Sequence, residues 1–137
     1  DTNELRLDSD GVLRILEPGL EEMEFKVEKS KKAIDKVRIP VLFGDQGNEQ
    51  LAFEADAYNE SLKTVIEVEA GRAYANYQFL KDIFQASMMV ETDYLVLAVR
   101  ELYNKRNDYE VVSKFLDAIY LTKKVKLDLK GVLLVGY

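Results

Sequence analysis

Leu51-Ala52-Phe53-Glu54-Ala55-Asp56-Ala57-Tyr58, followed after a short polar turn by Thr64-Val65-Ile66-Glu67-Val68-Glu69-Ala70, is the stretch on which the fold turns. In the first segment Phe53, Ala55 and Ala57 lie on one side and Glu54, Asp56 and Tyr58 on the other; the second alternates in the same way. Period-two alternation marks strands with one face buried, and an even-length turn around Asn59 to Leu62 predicts that the two form a hairpin. Residues two apart in a strand share a face about 6.5–7 Å apart. Glu67 and Glu69 therefore point one way, and Ile66, Val68 and Ala70 the other. A register with Tyr58 opposite Lys63, Asp56 opposite Val65 and Glu54 opposite Glu67 gathers Glu54, Asp56, Glu67 and Glu69 on one face of adjacent strands.

Outward from this hairpin, Gly71 closes the second strand, and Tyr77, Leu80, Phe84 and Met88 predict an amphipathic helix from about residue 73 to 90. Tyr94 to Val99 reads as a buried strand. After a polar loop from Glu101 to Asn107, Asp108 serves as N-cap of a helix carrying Val112, Phe115, Leu116, Ile119 and Tyr120, and Gly131 to Tyr137 supplies a last strand. On the N-terminal side, Ile39 to Phe43 reads as a short strand ending in the turn cluster Gly44-Asp45-Gln46-Gly47-Asn48. Leu20, Met23, Val27 and Ile34 recur at helical spacing after Pro18, with glutamates early and lysines late, which predicts a helix over residues 19–36. Asp8-Ser9-Asp10-Gly11, flanked by Leu5 to Leu7 and Val12 to Leu16, predicts a peripheral hairpin over residues 1–17. The expected order is hairpin, α, β, β, β, α, β, α, β: one α/β domain with a mixed central sheet flanked by helices.

Composition narrows the chemistry. The 137 residues are the size of one domain, 47% of them apolar, with no cysteine and no histidine. Disulfide frameworks, thiolate nucleophiles, Cys/His zinc sites and imidazole bases are all excluded. A net charge of −6 argues against holding nucleic acid by bulk positive charge. The apolar runs are too short to span a bilayer, and the acidic start Asp1-Thr2-Asn3-Glu4 is unlike a signal peptide, so a cytoplasmic location is expected.

Four carboxylates on one patch repel and raise one another's pKa unless something positive sits among them. A hard divalent cation, Mg²⁺ or Mn²⁺, is the economical solution for all-oxygen donors. The alternative is an acidic hairpin face that is merely solvated, and the residues alone leave it open.

A helix, then a strand meander carrying Asp56 followed by Glu67-Val68-Glu69, then a helix and a further strand, resembles the PD-(D/E)XK nuclease superfamily, with its restriction endonuclease-like αβββαβ core. Ala55-Asp56 stands for the "PD" element and Glu67-x-Glu69 for "ExK". Ala55 replaces proline and Glu69 replaces lysine, the Glu-x-Glu form found in type II restriction enzymes similar to BamHI. The resemblance covers residues 20 to 99; residues 18–99 are then the core motif region, and residues 100–137 add a helix and a strand. It implies a Mg²⁺-dependent DNA endonuclease, working as a homodimer, in which Asp56 and Glu67 ligate the metal with the Val68 carbonyl. Glu69 would orient or deprotonate the attacking water, and Glu54 would be an outer or second-metal ligand. Arg72 and Lys81 are read either as carriers of the displaced amine or as ordinary solvated and helix-surface charges, and Lys105-Arg106 is a candidate DNA-contacting loop. Two rival expectations are a nuclease-fold protein that binds or assembles without catalysis, and an unrelated α/β domain. The basic runs Lys29, Lys31, Lys32, Lys36, Arg38 and Lys123, Lys124, Lys126, Lys130 are read as phosphate contacts or as solvated surface.

Overall fold

The computed structural model describes residues 7–71, 73, 77–103 and 105–137. The chain is α/β. Its elements run α1 (Ser9–Glu22), β1 (Lys26–Val27), β2 (Val37–Phe43), β3 (Glu49–Ala55), β4 (Ala57–Asn59), β5 (Thr64–Glu69), α2 (Gln78–Met88), β6 (Tyr94–Val99), β7 (Leu102–Tyr103), β8 (Arg106–Asn107), α3 (Asp108–Thr122) and β9 (Gly131–Gly136). A mixed five-stranded sheet has the order β1-β4-β5-β6-β9. β1, β4 and β5 are antiparallel neighbours, while β6 and β9 run parallel to β5. Each parallel step is spanned by a helix, α2 between β5 and β6 and α3 between β6 and β9, as parallel pairing requires. Among the described residues no helix is long and apolar enough to cross a membrane.

Alternation along β5 sorts the core into two clusters. Ile66 and Val68 join Val12 and Leu13 of α1, with Phe25, Val27 and Ala57, on one face. Val65 joins Phe79 and Ile83 of α2, Val112 and Leu116 of α3, and Leu95, Leu97 and Val99 of β6 on the other. Phe79 and Ile83 are wholly buried, each worth about 1.5–3 kcal/mol of transfer free energy. Phe79 also meets Phe115 edge-on at 5.4 Å, which ties α2 to α3. Glu67 and Glu69 share the parity of Val65 and so lie on the α2 side of the sheet.

Two expectations for the N-terminal region are corrected by the structure. Residues 9–22 form a helix where a hairpin over 1–17 was expected. The Asp8 carboxylate is an N-cap accepting from the Gly11 N–H at 2.8 Å, a role open to the same residue types that make turns. The helix predicted over 19–36 ends at Glu22: Glu24 takes a left-handed conformation, φ 65°, and Phe25 and Val27 then alternate into the core. Met23 and Ile34, counted in its apolar stripe, are exposed.

The decisive hairpin is also divided. β3 pairs with β2 in a separate ribbon, with Arg38 opposite Glu54, and only β4 pairs with β5. The observed register sets Tyr58 opposite Val65 and Ala57 opposite Ile66, two residues from the expected one. A two-residue shift preserves parity, so the faces stay as read while the partners change. Asp56 falls at the break. Its carbonyl accepts from the Glu28 N–H at 2.8 Å on the β1 side, and its carboxylate Oδ2 accepts from the Val68 N–H at 2.7 Å on the β5 side.

The later elements follow the sequence more closely. β6 has the expected limits, and α3 and β9 stand where predicted, although Asn107 rather than Asp108 caps α3, accepting from the Glu110 N–H. The polar loop before α3 is a small hairpin of β7 and β8 turning at Lys105, φ 65°.

Candidate functional site

The strand break at Asp56, the end of β5 and the first turns of α2 enclose a polar cleft of about 260 Å³. Asp56, Glu67, Glu69 and Asp82 line it together with Glu28, Lys36, Glu54 and Lys81. A larger groove of about 610 Å³ lies between β1 and β2, but it is mainly apolar, and its Glu60 faces Lys26 at 3.9 Å. Chemistry rather than size selects the smaller cleft.

Each carboxylate has a reason to be where it is. Asp56 is fixed by its two backbone hydrogen bonds at the strand junction. Glu67 and Glu69 project from alternate positions of an interior strand toward α2. Asp82 sits on the buried stripe of α2 with Phe79, Ile83 and Ala86 and is only 4% exposed. The Gln78 side-chain amide, one turn earlier, donates to Asp82 Oδ1 at 3.0 Å. Asp82 Oδ2 is buried with no hydrogen-bond partner. The Glu69 carboxyl lies against the Asp82 carboxyl, and two carboxylates are both acceptors, so that contact closes only with a proton between them.

Burial pushes Asp56 up to about 6, with the nearby Glu28 charge adding to the rise and the Val68 N–H opposing it. Glu67 is raised well above the carboxylate range, first by burial and then by the charges of Asp56, Asp82 and Glu69. Burial and the Asp82 charge push Glu69 to about 8, opposed by the Lys81 ammonium. Asp82 is raised by burial, while contacts from Glu69, Gln78 and Lys81 pull it back. All four shifts have burial as their largest cause and point toward a patch short of positive charge.

The opposite wall is neutralised. Glu28 is 5% exposed and accepts from Lys31 at 3.1 Å and Lys36 at 2.9 Å. Lys36 also reaches Glu54 at 3.3 Å. Lys29 pairs with Glu17 and Glu21 of α1, so much of the first basic run is engaged in ion pairs with this domain. It does not lie on a helix as expected.

The structure therefore gathers Asp56, Glu67 and Glu69 in one cleft, as the strand pattern implied. Glu54 reaches the same cleft from the β2–β3 ribbon, half-exposed and tied to Lys36, rather than from a position opposite Glu67. Lys81 is exposed at the rim. Arg72 lies outside the described residues. Lys105 is exposed at the tip of the β7–β8 hairpin, whereas Arg106 Nε donates to the fully buried Asp108 at 2.6 Å. That hairpin follows Val99, which pairs with Glu69, so it emerges at the same end of the sheet as the cleft.

Asp82 is the residue the sequence reading missed. Two stripes on α2 have helical spacing, and the reading took Tyr77, Leu80, Phe84 and Met88. Tyr77, Phe84 and Met88 are about half exposed; the buried stripe is Phe79, Asp82, Ile83 and Ala86. A carboxylate inside an apolar stripe was the available signal.

Among the described residues, no group of three or more carboxylates is arranged to hold a metal ion. The donor chemistry nevertheless suits a hard cation held by two carboxylates and water, the usual manner for Mg²⁺. The buried Asp82 Oδ2, with no hydrogen-bond partner, is compatible with such an ion. In comparisons with known proteins, no family model, no curated protein and no solved structure matches the chain.

Proposed function

We propose that the protein is a Mg²⁺-dependent DNA endonuclease with a restriction endonuclease-like core. The observation that carries this reading is the 2.7 Å bond from the Val68 N–H to Asp56 Oδ2, which locks the aspartate of one strand to the Glu67-Val68-Glu69 segment of the next. The order α1, β1, β4, β5, α2, β6, with an antiparallel meander followed by a parallel strand, supports it. The solvated-face alternative fits poorly, because Asp82 is buried and the cleft carboxylates are raised by burial.

In this reading Asp56 and Glu67 hold the Mg²⁺, with the Val68 carbonyl beside them and Glu54 as an outer group. The bound ion supplies charge to the scissile phosphate and acidity to a water. Glu69 accepts a proton at its carboxylate, the task given to lysine in most relatives of this type. Lys81 at the rim and Lys105 and Arg106 on the hairpin are the groups assigned to phosphates, and two copies of the chain cut the two strands of a duplex.

The test is cleavage of plasmid and of single-stranded DNA with Mg²⁺ or Mn²⁺ and with EDTA, by wild type and Glu67→Gln. Wild type is expected to cut only with metal and the variant not at all. Absence of cleavage together with absence of Mn²⁺ binding would sink the proposal, and equal cutting by both proteins would assign the activity elsewhere. A second reading, a nuclease fold that binds or assembles without catalysis, is favoured by Glu69 in the lysine position and by the charge of −6. It predicts Glu67-independent DNA binding without cleavage.

A further inference from the structure

We propose that Asp82 of α2 is a cation ligand, and that it and Glu69 together hold a divalent cation of their own beside the one assigned to Asp56 and Glu67. This rests on the cation-site reading above and extends the site from the sheet to the helix.

The argument starts from Asp82 Oδ2. Asp82 is 4% exposed, and this oxygen has no hydrogen-bond donor. Burying a carboxylate without a partner is strongly unfavourable, and folded chains ordinarily pair such groups. This chain does so elsewhere: Glu28 has Lys31 and Lys36, and Asp108 has Arg106. No ion pair of Asp82 occurs among the described residues, although Lys81 stands next to it in sequence and lines the same cleft.

Asp82 is also oriented rather than loose. Gln78 Nε2 holds Oδ1 from one turn away, and Phe79 and Ile83 on either side are fully buried, so the carboxylate is fixed on the face of α2 that covers β5. A side-chain amide behind one oxygen, with the other left open, is the arrangement that positions a metal-binding carboxylate. The carboxyl lying against that of Asp82 is Glu69, itself an acceptor. A cation satisfies both carboxylates at once. Two carboxylates with water completing the shell are the usual way a protein holds such an ion.

The experiment is calorimetric titration of MnCl₂ into the intact chain for wild type, Asp82→Asn, Glu69→Gln and Glu67→Gln, with circular dichroism to verify folding. Asp82→Asn and Glu69→Gln are each expected to bind one Mn²⁺ fewer per chain than wild type, while the Glu67-dependent Mn²⁺ remains. An Asp82→Asn isotherm superimposable on wild type would overturn the assignment and leave a proton as the link between the two carboxylates. In that event binding that still depends on Glu67 preserves the proposed function, whereas wild type that takes up no Mn²⁺ ends both. Should Asp82→Asn fail to fold, an unaltered Glu69→Gln isotherm is the overturning result.

Discussion

The cleft has two walls that differ in one respect. On the α1 and β2 side, Glu28 is almost completely buried and has two lysines. On the β5 and α2 side, Asp82 is equally buried and has one side-chain amide, with the carboxyls of Glu67 and Glu69 beside it in place of any cation. A neutralised carboxylate is part of the scaffold; an unneutralised one is destabilising until something positive arrives. Stability is commonly sacrificed at sites built to bind, and on the reading proposed above the β5 and α2 wall is that side.

Substitutions on the two walls should therefore act with opposite signs. Glu28→Gln leaves Lys31 unpaired from this side and Lys36 with only Glu54, and is expected to cost about 2–3 kcal/mol by chemical denaturation. Its residual activity per folded molecule should be unchanged; a neutral effect on stability would remove the distinction between the walls.

Dependence on pH gives the next largest effect. The cleft carboxylates titrate higher in the folded than in the unfolded chain, so the folded state binds more protons above about pH 4. The stability they contribute is fully present below the unfolded values and is lost as pH rises through about 6 for Asp56 and about 8 for Glu69. Discounting for the solvent that reaches the cleft, a loss of about 2 kcal/mol is expected between pH 5 and pH 8 in EDTA. Saturating Mn²⁺ should flatten this slope. A stability that rises across the same interval would contradict the burial argument.

Smaller still, Asp82→Asn should stabilise the metal-free protein by about 1 kcal/mol at pH 8, because it removes a like charge from Glu69 and Glu67 while keeping the Gln78 contact available. Destabilisation by the same amount would mean that the carboxylate has a partner in solution. Lys105→Ala, at an exposed hairpin tip, should leave stability within about 0.5 kcal/mol and reduce the salt slope of DNA binding by about 1. An unchanged slope would take the β7–β8 hairpin out of the DNA interface.

What the sequence disclosed follows from what each element depends on. β5 and β6 were legible because alternation and apolar runs are local consequences of burial, and they placed Glu67 and Glu69 on the correct face. The register was not, because it depends on where the chain breaks. Nothing local distinguishes Leu51 to Tyr58 as one strand from two strands parted at Asp56. Asp8 and Glu24 were misread for a related reason: an N-cap and a turn use the same residue types, and a helix stop formed by a left-handed glutamate leaves no compositional trace. Asp82 escaped because the phase of a short helix is set by what covers it, here β5 and α3.

The position of Asp56 has one more consequence. The chain leaves the main sheet at Glu28 and returns at Asp56, and those two residues are hydrogen-bonded neighbours. Everything between them is an excursion whose ends coincide. Closing a loop becomes only about 0.6 kcal/mol more costly when its length doubles. The tip of the β2–β3 ribbon, at Asp45 to Gly47, is thus the place where this chain can gain or lose residues while the aspartate at its base keeps its place.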